Sequence, residues 1–151
     1  MSESLTFMMG EFEAGFPVDR QYAKNHMWAL PQANHVYRFG FTAYAVRLLQ
    51  DVYFLDWSVD AGARVADRQE IGSIESKKAE SDLFAPMAGN LREFNETALK
   101  DPAQINVDKY GAGWLFELQG SGETLLTAEA YVEHLAQVWE VTQRTIKGQL
   151  N

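Results

Sequence analysis

Two lysines stand side by side in the segment Glu70-Ile-Gly-Ser-Ile-Glu-Ser-Lys-Lys-Ala-Glu-Ser-Asp82, at Lys77 and Lys78. Short strands over 70–76 and 80–85 put that pair at or beside the tip of a β-hairpin. A lysine so mounted projects a primary amine into solvent, clear of the sheet. That placement suits a modifying enzyme that must reach the amine, and it equally suits the mount of a flexible prosthetic arm. Taken alone, adjacent lysines in a turn read as solvated surface, because charged side chains are mostly exposed. Glu75, Ser76 and Asp82 flank the tip and read two ways: as a recognition surface for such an enzyme, or as an acidic turn with local hydrogen bonds. Ile71 and Ile74 are spaced oddly for one face of a strand, which places a kink or bulge near Gly72.

Other chemistry is thin. His26, His35 and His134 show no metal-ligand spacing, so no metal site is read from them. With no cysteine in the chain, disulfides, thiolate metal sites and a cysteine nucleophile are excluded. Gly111 and Gly113 mark a turn without the context of a phosphate loop. No catalytic triad or carboxylate pair is defensible from spacing, so no catalytic residue is assigned.

The elements that must position the lysines follow from pattern. Between residues 22 and 119 short apolar or alternating runs alternate with turn signals, as in a small barrel or sandwich. Strands are expected over 26–30, 35–41, 51–57, 64–66, 70–76, 80–85, 89–94 and 114–118, with breaks at 31–34, 60–62, 86–89 and 110–113. Trp28, Phe54, Trp57, Phe84, Trp114 and Phe116 lie on these runs and are expected in the core. Residues 42–49 suit a short helix capped by Thr42. From Thr127 onward Tyr131, Leu135, Val138, Thr142 and Ile146 recur at helical spacing, with Glu129, Glu133, Gln137 and Lys147 elsewhere, so an amphipathic helix is expected to end near Gly148. Residues 1–20 read as an extended or short-helical lead-in, broken by Gly10, Gly15 and Pro17. The expected organisation is therefore a lead-in over 1–20, a mostly β domain over 21–126, and a C-terminal helix over 127–151 packed on the same domain.

Composition bounds the rest. The 151 residues are 46% hydrophobic and 13% aromatic, enough for a real core. Thirteen basic against 21 acidic side chains give a net charge of −8, which argues against nucleic acid as a partner and favours basic protein surfaces. No apolar run approaches a membrane span, and no secretory or transit signal is visible, so a cytoplasmic protein without a membrane partner is expected.

Read with its neighbours, the lysine segment resembles the attachment loop of the glycine cleavage system H protein, a lipoyl-carrier family. The likeness begins at Tyr22-Ala-Lys-Asn-His26-Met-Trp28, similar to that family's tyrosine, spacer and His-Glu-Trp element. Gly40-Phe-Thr-Ala-Tyr-Ala45 resembles its helix entry, and Asp51-Val-Tyr-Phe-Leu55 with Asp60-Ala-Gly62 its next strand and turn. Ile74-Glu-Ser-Lys-Lys78-Ala-Glu-Ser-Asp82, Ala85-Pro86 and Gly89 resemble its Glu-Ser-Val-Lys-Ala element. Asp101-Pro102, Ile105-Asn106, Tyr110-Gly111, Gly113-Trp-Leu-Phe116 and Ala128-Glu-Ala-Tyr131 complete the match.

The resemblance implies a barrel-sandwich hybrid fold and lipoate in amide linkage to Lys78, with Lys77 standing where the family has valine. The cofactor would then supply both sulfurs. It implies a carrier and not an enzyme, with a lipoate ligase or lipoyl transferase and dihydrolipoamide dehydrogenase as partners. Glu75, Ser76, Asp82 and His26 would serve ligase recognition or docking of the arm. A biotin carrier shares the hairpin, but its lysine normally sits between methionines. Met27 in place of glutamate, Lys77, Gln50 in place of glycine, Trp57-Ser-Val in place of a proline-containing run, and the long last helix depart from the H-protein pattern. These changes resemble the lipoate-binding proteins of bacterial sulfur oxidation, which implies a heterodisulfide-reductase-like complex as partner. The alternatives are an authentic H protein, carrying an aminomethyl group among the glycine cleavage enzymes, and an unmodified scaffold.

Overall fold

The computed structural model describes residues 3–150, with side chains to residue 143. Its elements in chain order are β1 (Ser4–Met9), β2 (Phe12–Pro17), β3 (Gln21–Tyr22), β4 (Met27–Pro31), β5 (Val36–Phe41) and α1 (Ala43–Leu49). Then come β6 (Val52–Trp57), β7 (Arg64–Val65), β8 (Glu70–Ser76), β9 (Glu80–Phe84) and β10 (Gly89–Phe94). Last are α2 (Glu96–Lys100), α3 (Gln104–Val107), β11 (Phe116–Gln119) and α4 (Ala128–Leu150).

A six-stranded sheet ordered β3-β4-β5-β11-β10-β7 faces a three-stranded sheet ordered β6-β8-β9, and β1-β2 forms a separate hairpin. The inward faces of the two larger sheets supply one core, in which Phe39, Val65, Ile71, Ile74, Leu91, Phe116 and Leu118 are fully buried. A second cluster joins the β1-β2 hairpin, α1 and α4 through Phe16, Tyr22, Trp28, Tyr44, Tyr131 and Leu135. The fold is thus mostly β, with the expected internal and C-terminal helices.

Several expectations hold in detail. Thr42 caps α1, its hydroxyl accepting from the Ala45 amide. Thr127 caps α4 by accepting the Ala130 amide at 3.1 Å. The pairing of β8 with β9 slips between Glu70 and Gly72, so that Ile71 and Ile74 both point into the core. A Cβ at Gly72 would overlap the Asp56 carbonyl oxygen, so the bulge requires glycine on packing grounds.

Other expectations are corrected. Of the two readings of the lead-in the extended one holds and the short-helical one does not: the described residues from Ser4 to Pro17 form a regular hairpin. Leu5 pairs with Phe16, Phe7 with Ala14 and Met9 with Phe12, an alternation hidden in the sequence by the exposed Met8 and by Gly15. The helices α2 and α3 are too short to leave a period, although Asn95 caps the first through the Thr97 amide. The strand expected at 114–118 begins only at Phe116. α4 continues through Gly148 to Leu150, and Ile146 and Lys147 lie outside the described side chains.

Phe54 and Phe84 are not core residues; they are 42% and 43% exposed. A bulge between Val52 and Phe54 turns Tyr53 and Phe54 outward, while Leu83 takes the inward position on β9 and leaves Phe84 on the rim. Trp57 and Trp114 are half-buried and pack against the two clusters.

Gln50 closes α1 at φ 59° and ψ −141°, a conformation that L side chains rarely adopt. Relief of that strain outweighs the greater unfolded-state freedom of glycine. Gln50→Gly is therefore expected to stabilise the protein by about 1 kcal/mol, read as a raised urea midpoint with an unchanged m-value.

Candidate functional site: a lysine-bearing hairpin tip beside an apolar groove

The tip is built from Ser76 outward. β8 ends on Ser76 and β9 starts on Glu80, with Glu75 paired to Glu80, so Lys77 and Lys78 are the two central residues of the turn. The Ser76 amide donates to the Ala79 carbonyl at 2.8 Å. Its buried hydroxyl donates to the same carbonyl at 3.2 Å and accepts from the Lys78 and Ala79 amides at 3.3 and 3.1 Å. One hydroxyl thus satisfies the turn's inward backbone groups and holds both lysines outside it. The Lys77 amide donates to the Asp51 carbonyl at 2.8 Å and ties the tip to the start of β6. Both lysines are exposed, and among the described residues Lys78 is in no ion pair. Amine and turn have separate supports, so the amine can be modified without disturbing the turn.

The tie is itself anchored. The Asn106 side chain accepts the Val52 amide at 2.9 Å and donates to the Gln50 carbonyl at 2.7 Å, spanning the residue that receives Lys77. Nothing in the residue pattern marked Asn106 beyond its place in the family motif.

A groove of about 290 Å³ runs beside the same hairpin. Ile74 and Leu83 of the hairpin line it, together with Met27, Phe41 and Leu48. His26 and Asp82 line it too, and Asp82 is its one charged lining residue. Glu75 and Ser76 belong to the tip and not to the groove, so four residues grouped together in the sequence divide between two surfaces. Asp82 raises the affinity of neighbouring Glu70 for its proton, by charge repulsion first and by a shared hydrogen bond second.

His26 takes the left-handed backbone conformation, φ 71°, in the turn leading into β4. Its Nδ1 meets the Tyr131 hydroxyl at 2.9 Å, and its ring packs on Tyr44 with centroids 4.6 Å apart. The same Tyr131 hydroxyl meets Thr42 Oγ1 at 3.0 Å. Burial, and then the neighbouring His134, pull the His26 pKa down to about 4, so the ring is neutral at neutral pH. The unfolded chain takes up this proton near the ordinary pH of 6.5, before the folded chain does. The resulting stability is complete above about pH 6.5 and is lost as pH falls toward 4. An NMR titration should place the ring's midpoint near 4, and His26→Asn should flatten the fall in stability across that window. His134 is also held below its usual pKa, by partial burial first and then by Lys24. No group of three or more metal-ligating side chains occurs among the described residues.

Two facing sheets that present a lysine at a two-residue hairpin tip define the lipoyl-domain type of fold. The profile of the family described as Glycine cleavage H-protein matches residues 20–138. The chain belongs to the glycine cleavage H-protein family. It is 43% identical to the glycine cleavage system H protein of Beutenbergia cavernae, over 76% of this chain and 92% of that one. It is 40% identical to the H protein of Thermus thermophilus, over 79% and 94%. The probable H protein of Natronomonas pharaonis is 39% identical over 80% and 96%. The crystal structure of the H protein from Mycobacterium marinum superposes with a TM-score of 0.69 at 38% identity, covering 80% of this chain and 99% of that one. The β1-β2 hairpin and the end of α4 lie beyond the matched residues.

Proposed function

We propose that the protein is a lipoyl carrier with lipoate joined in amide linkage to Lys78 Nζ, and that it performs no catalysis of its own. The observation that carries this reading is an exposed lysine, in no ion pair among the described residues, on a separately braced tip beside an apolar groove that the same hairpin lines. Lipoate, when bound, supplies a dithiol–disulfide pair at the end of a long apolar arm. Lys78 would hold the arm, and Met27, Phe41, Leu48 and Leu83 would shelter its apolar length. Glu75, Ser76 and Asp82 would be read by a lipoate ligase or lipoyl transferase, with Asp82 and His26 also meeting the docked arm. In this reading residues 21–126 are the lipoyl-type domain, after a lead-in over 1–20 and before a C-terminal helix that belongs to the same domain, and the protein works in the cytoplasm. No helix among the described residues is long and apolar enough to cross a membrane.

The pathway favoured by the residue pattern is sulfur oxidation with a heterodisulfide-reductase-like complex. Met27 is buried in the groove where the family has a glutamate, and Lys77 adds a cation beside the attachment point. Both changes weaken attraction for a cationic load. A second reading, an authentic H protein of glycine decarboxylation working with dihydrolipoamide dehydrogenase, is favoured by Asp82, the carboxylate that lines the groove. The lipoylated protein should support glycine decarboxylation far more slowly than an authentic H protein; comparable rates would decide for the second reading.

The carrier reading is tested by intact mass after expression with a lipoyl ligase and lipoate, followed by peptide mapping. An increment of one lipoyl group at Lys78 is expected. Lys77→Ala should leave that modification largely intact. Attachment at Lys77 in the unaltered protein would instead shift the assignment by one residue.

A further inference from the structure

The geometry points to His26 as a fixed hydrogen-bond donor for the sulfur end of the arm, locked by Thr42 and Tyr131 in the tautomer that carries its proton on Nε2. This inference rests on the carrier reading and names the residue that would receive the arm.

The lock follows from counting donors and acceptors. Thr42 is fully buried, and its hydroxyl oxygen already accepts the Ala45 amide at 3.4 Å. Its remaining contact is the Tyr131 hydroxyl at 3.0 Å, itself within a fully buried residue. Two proton arrangements run as an unbroken relay along Thr42, Tyr131 and His26; a third, with Thr42 and His26 both donating to Tyr131, leaves the buried Tyr131 proton without an acceptor. If His26 Nδ1 donated to Tyr131, Tyr131 would donate to Thr42, and the Thr42 O–H would have no acceptor. Leaving a buried donor unpaired costs about 1–3 kcal/mol. If Thr42 donates to Tyr131 and Tyr131 donates to Nδ1, every group is satisfied, and the proton on His26 must sit on Nε2. The second arrangement therefore wins.

With Nδ1 occupied, Nε2–H is the polar group His26 has left for an occupant of the groove it lines. Such a donor fits an acceptor such as a sulfur lone pair and does not fit an ammonium. The ring cannot turn away easily, because it packs on Tyr44 and stacks 6.2 Å from His134. His26 itself holds φ 71°, a conformation that persists only where the surroundings fix it. The occupant is a part of this chain, the arm on Lys78, because Ile74 and Leu83 of the lysine-bearing hairpin line the same groove.

The test uses ¹⁵N-histidine NMR on the full chain, unmodified and lipoylated with the arm reduced. In the unmodified protein His26 should be protonated on Nε2, and Tyr131→Phe should release it to a mixture of tautomers while the fold survives. On lipoylation the Nε2 proton should exchange with water about tenfold more slowly, the effect of one hydrogen bond of about 1.4 kcal/mol. Tyr131→Phe should lose most of that protection. His26→Asn tolerates the left-handed backbone and should show normal attachment at Lys78 with a more mobile arm. An Nδ1-protonated ring, or exchange unchanged by lipoylation, would overturn the inference alone. A chain that accepts no lipoyl group from its own ligase would overturn the carrier reading, and this inference with it.

Discussion

Lys78→Arg is expected to abolish lipoyl attachment completely while leaving the fold untouched. Arginine keeps the positive charge and the length of the side chain, but its guanidinium stays protonated and offers no free amine for amide formation. Lys78 is exposed, and its turn is held by Ser76 through backbone groups that the substitution leaves alone. Unfolding free energy should therefore change by no more than about 0.5 kcal/mol. Mass spectrometry should find no lipoyl increment, and the variant should fail in whatever pathway the protein serves. A scaffold that needs no arm would be indifferent to the change, so retained function would exclude the carrier reading. Lys77 should not substitute, because its amide is tied to Asp51 whereas that of Lys78 is held by Ser76, so the two central positions of the turn are not equivalent.

Asn106→Leu is expected to have the largest effect on stability and an indirect effect on attachment. Leucine keeps the branching and heavy-atom count of asparagine, though it is bulkier, and removes both hydrogen bonds that bracket Asp51. The Val52 amide and the Gln50 carbonyl then lose their partners in a part-buried region. Each such group costs about 1–3 kcal/mol, so a loss of about 2–4 kcal/mol is expected in urea or thermal unfolding. Because the Asp51 carbonyl accepts from Lys77, the tip loses part of its anchor, and the rate of lipoylation at Lys78 should fall by several-fold under conditions where the variant is still folded. Stability lost with an unchanged modification rate would mean that the tip is ordered by Ser76 alone.

Much of this was legible in the residues. The strands β8 and β10 were readable to the residue because turn signals bound them on each side, and the bulge at Gly72 showed in the spacing of Ile71 and Ile74. The caps at Thr42 and Thr127 showed because capping is chemistry between near neighbours. The N-terminal hairpin was not legible as such: its inward face acquires meaning only from α4, with Phe7 edge-on to Trp139 and Phe16 against Tyr131. Phe54 and Phe84 were misplaced for a related reason. A bulge adds one residue to one strand, and which side chain it turns outward depends on the partner's register.

The sequence by itself determined the two lysines, the hairpin that lifts them and the ordered motifs of the family, because these depend on local propensity and linear spacing. Only the tertiary structure decided which residues surround the tip. Asn106 reaches Gln50 and Val52 across more than fifty residues, and Tyr131 reaches His26 across 105. Asp82 and His26 share a groove while Glu75 and Ser76 do not. Those relations depend on how two sheets and a helix close over their cores, and the spacing of side chains along the chain does not encode the direction in which each one finally points.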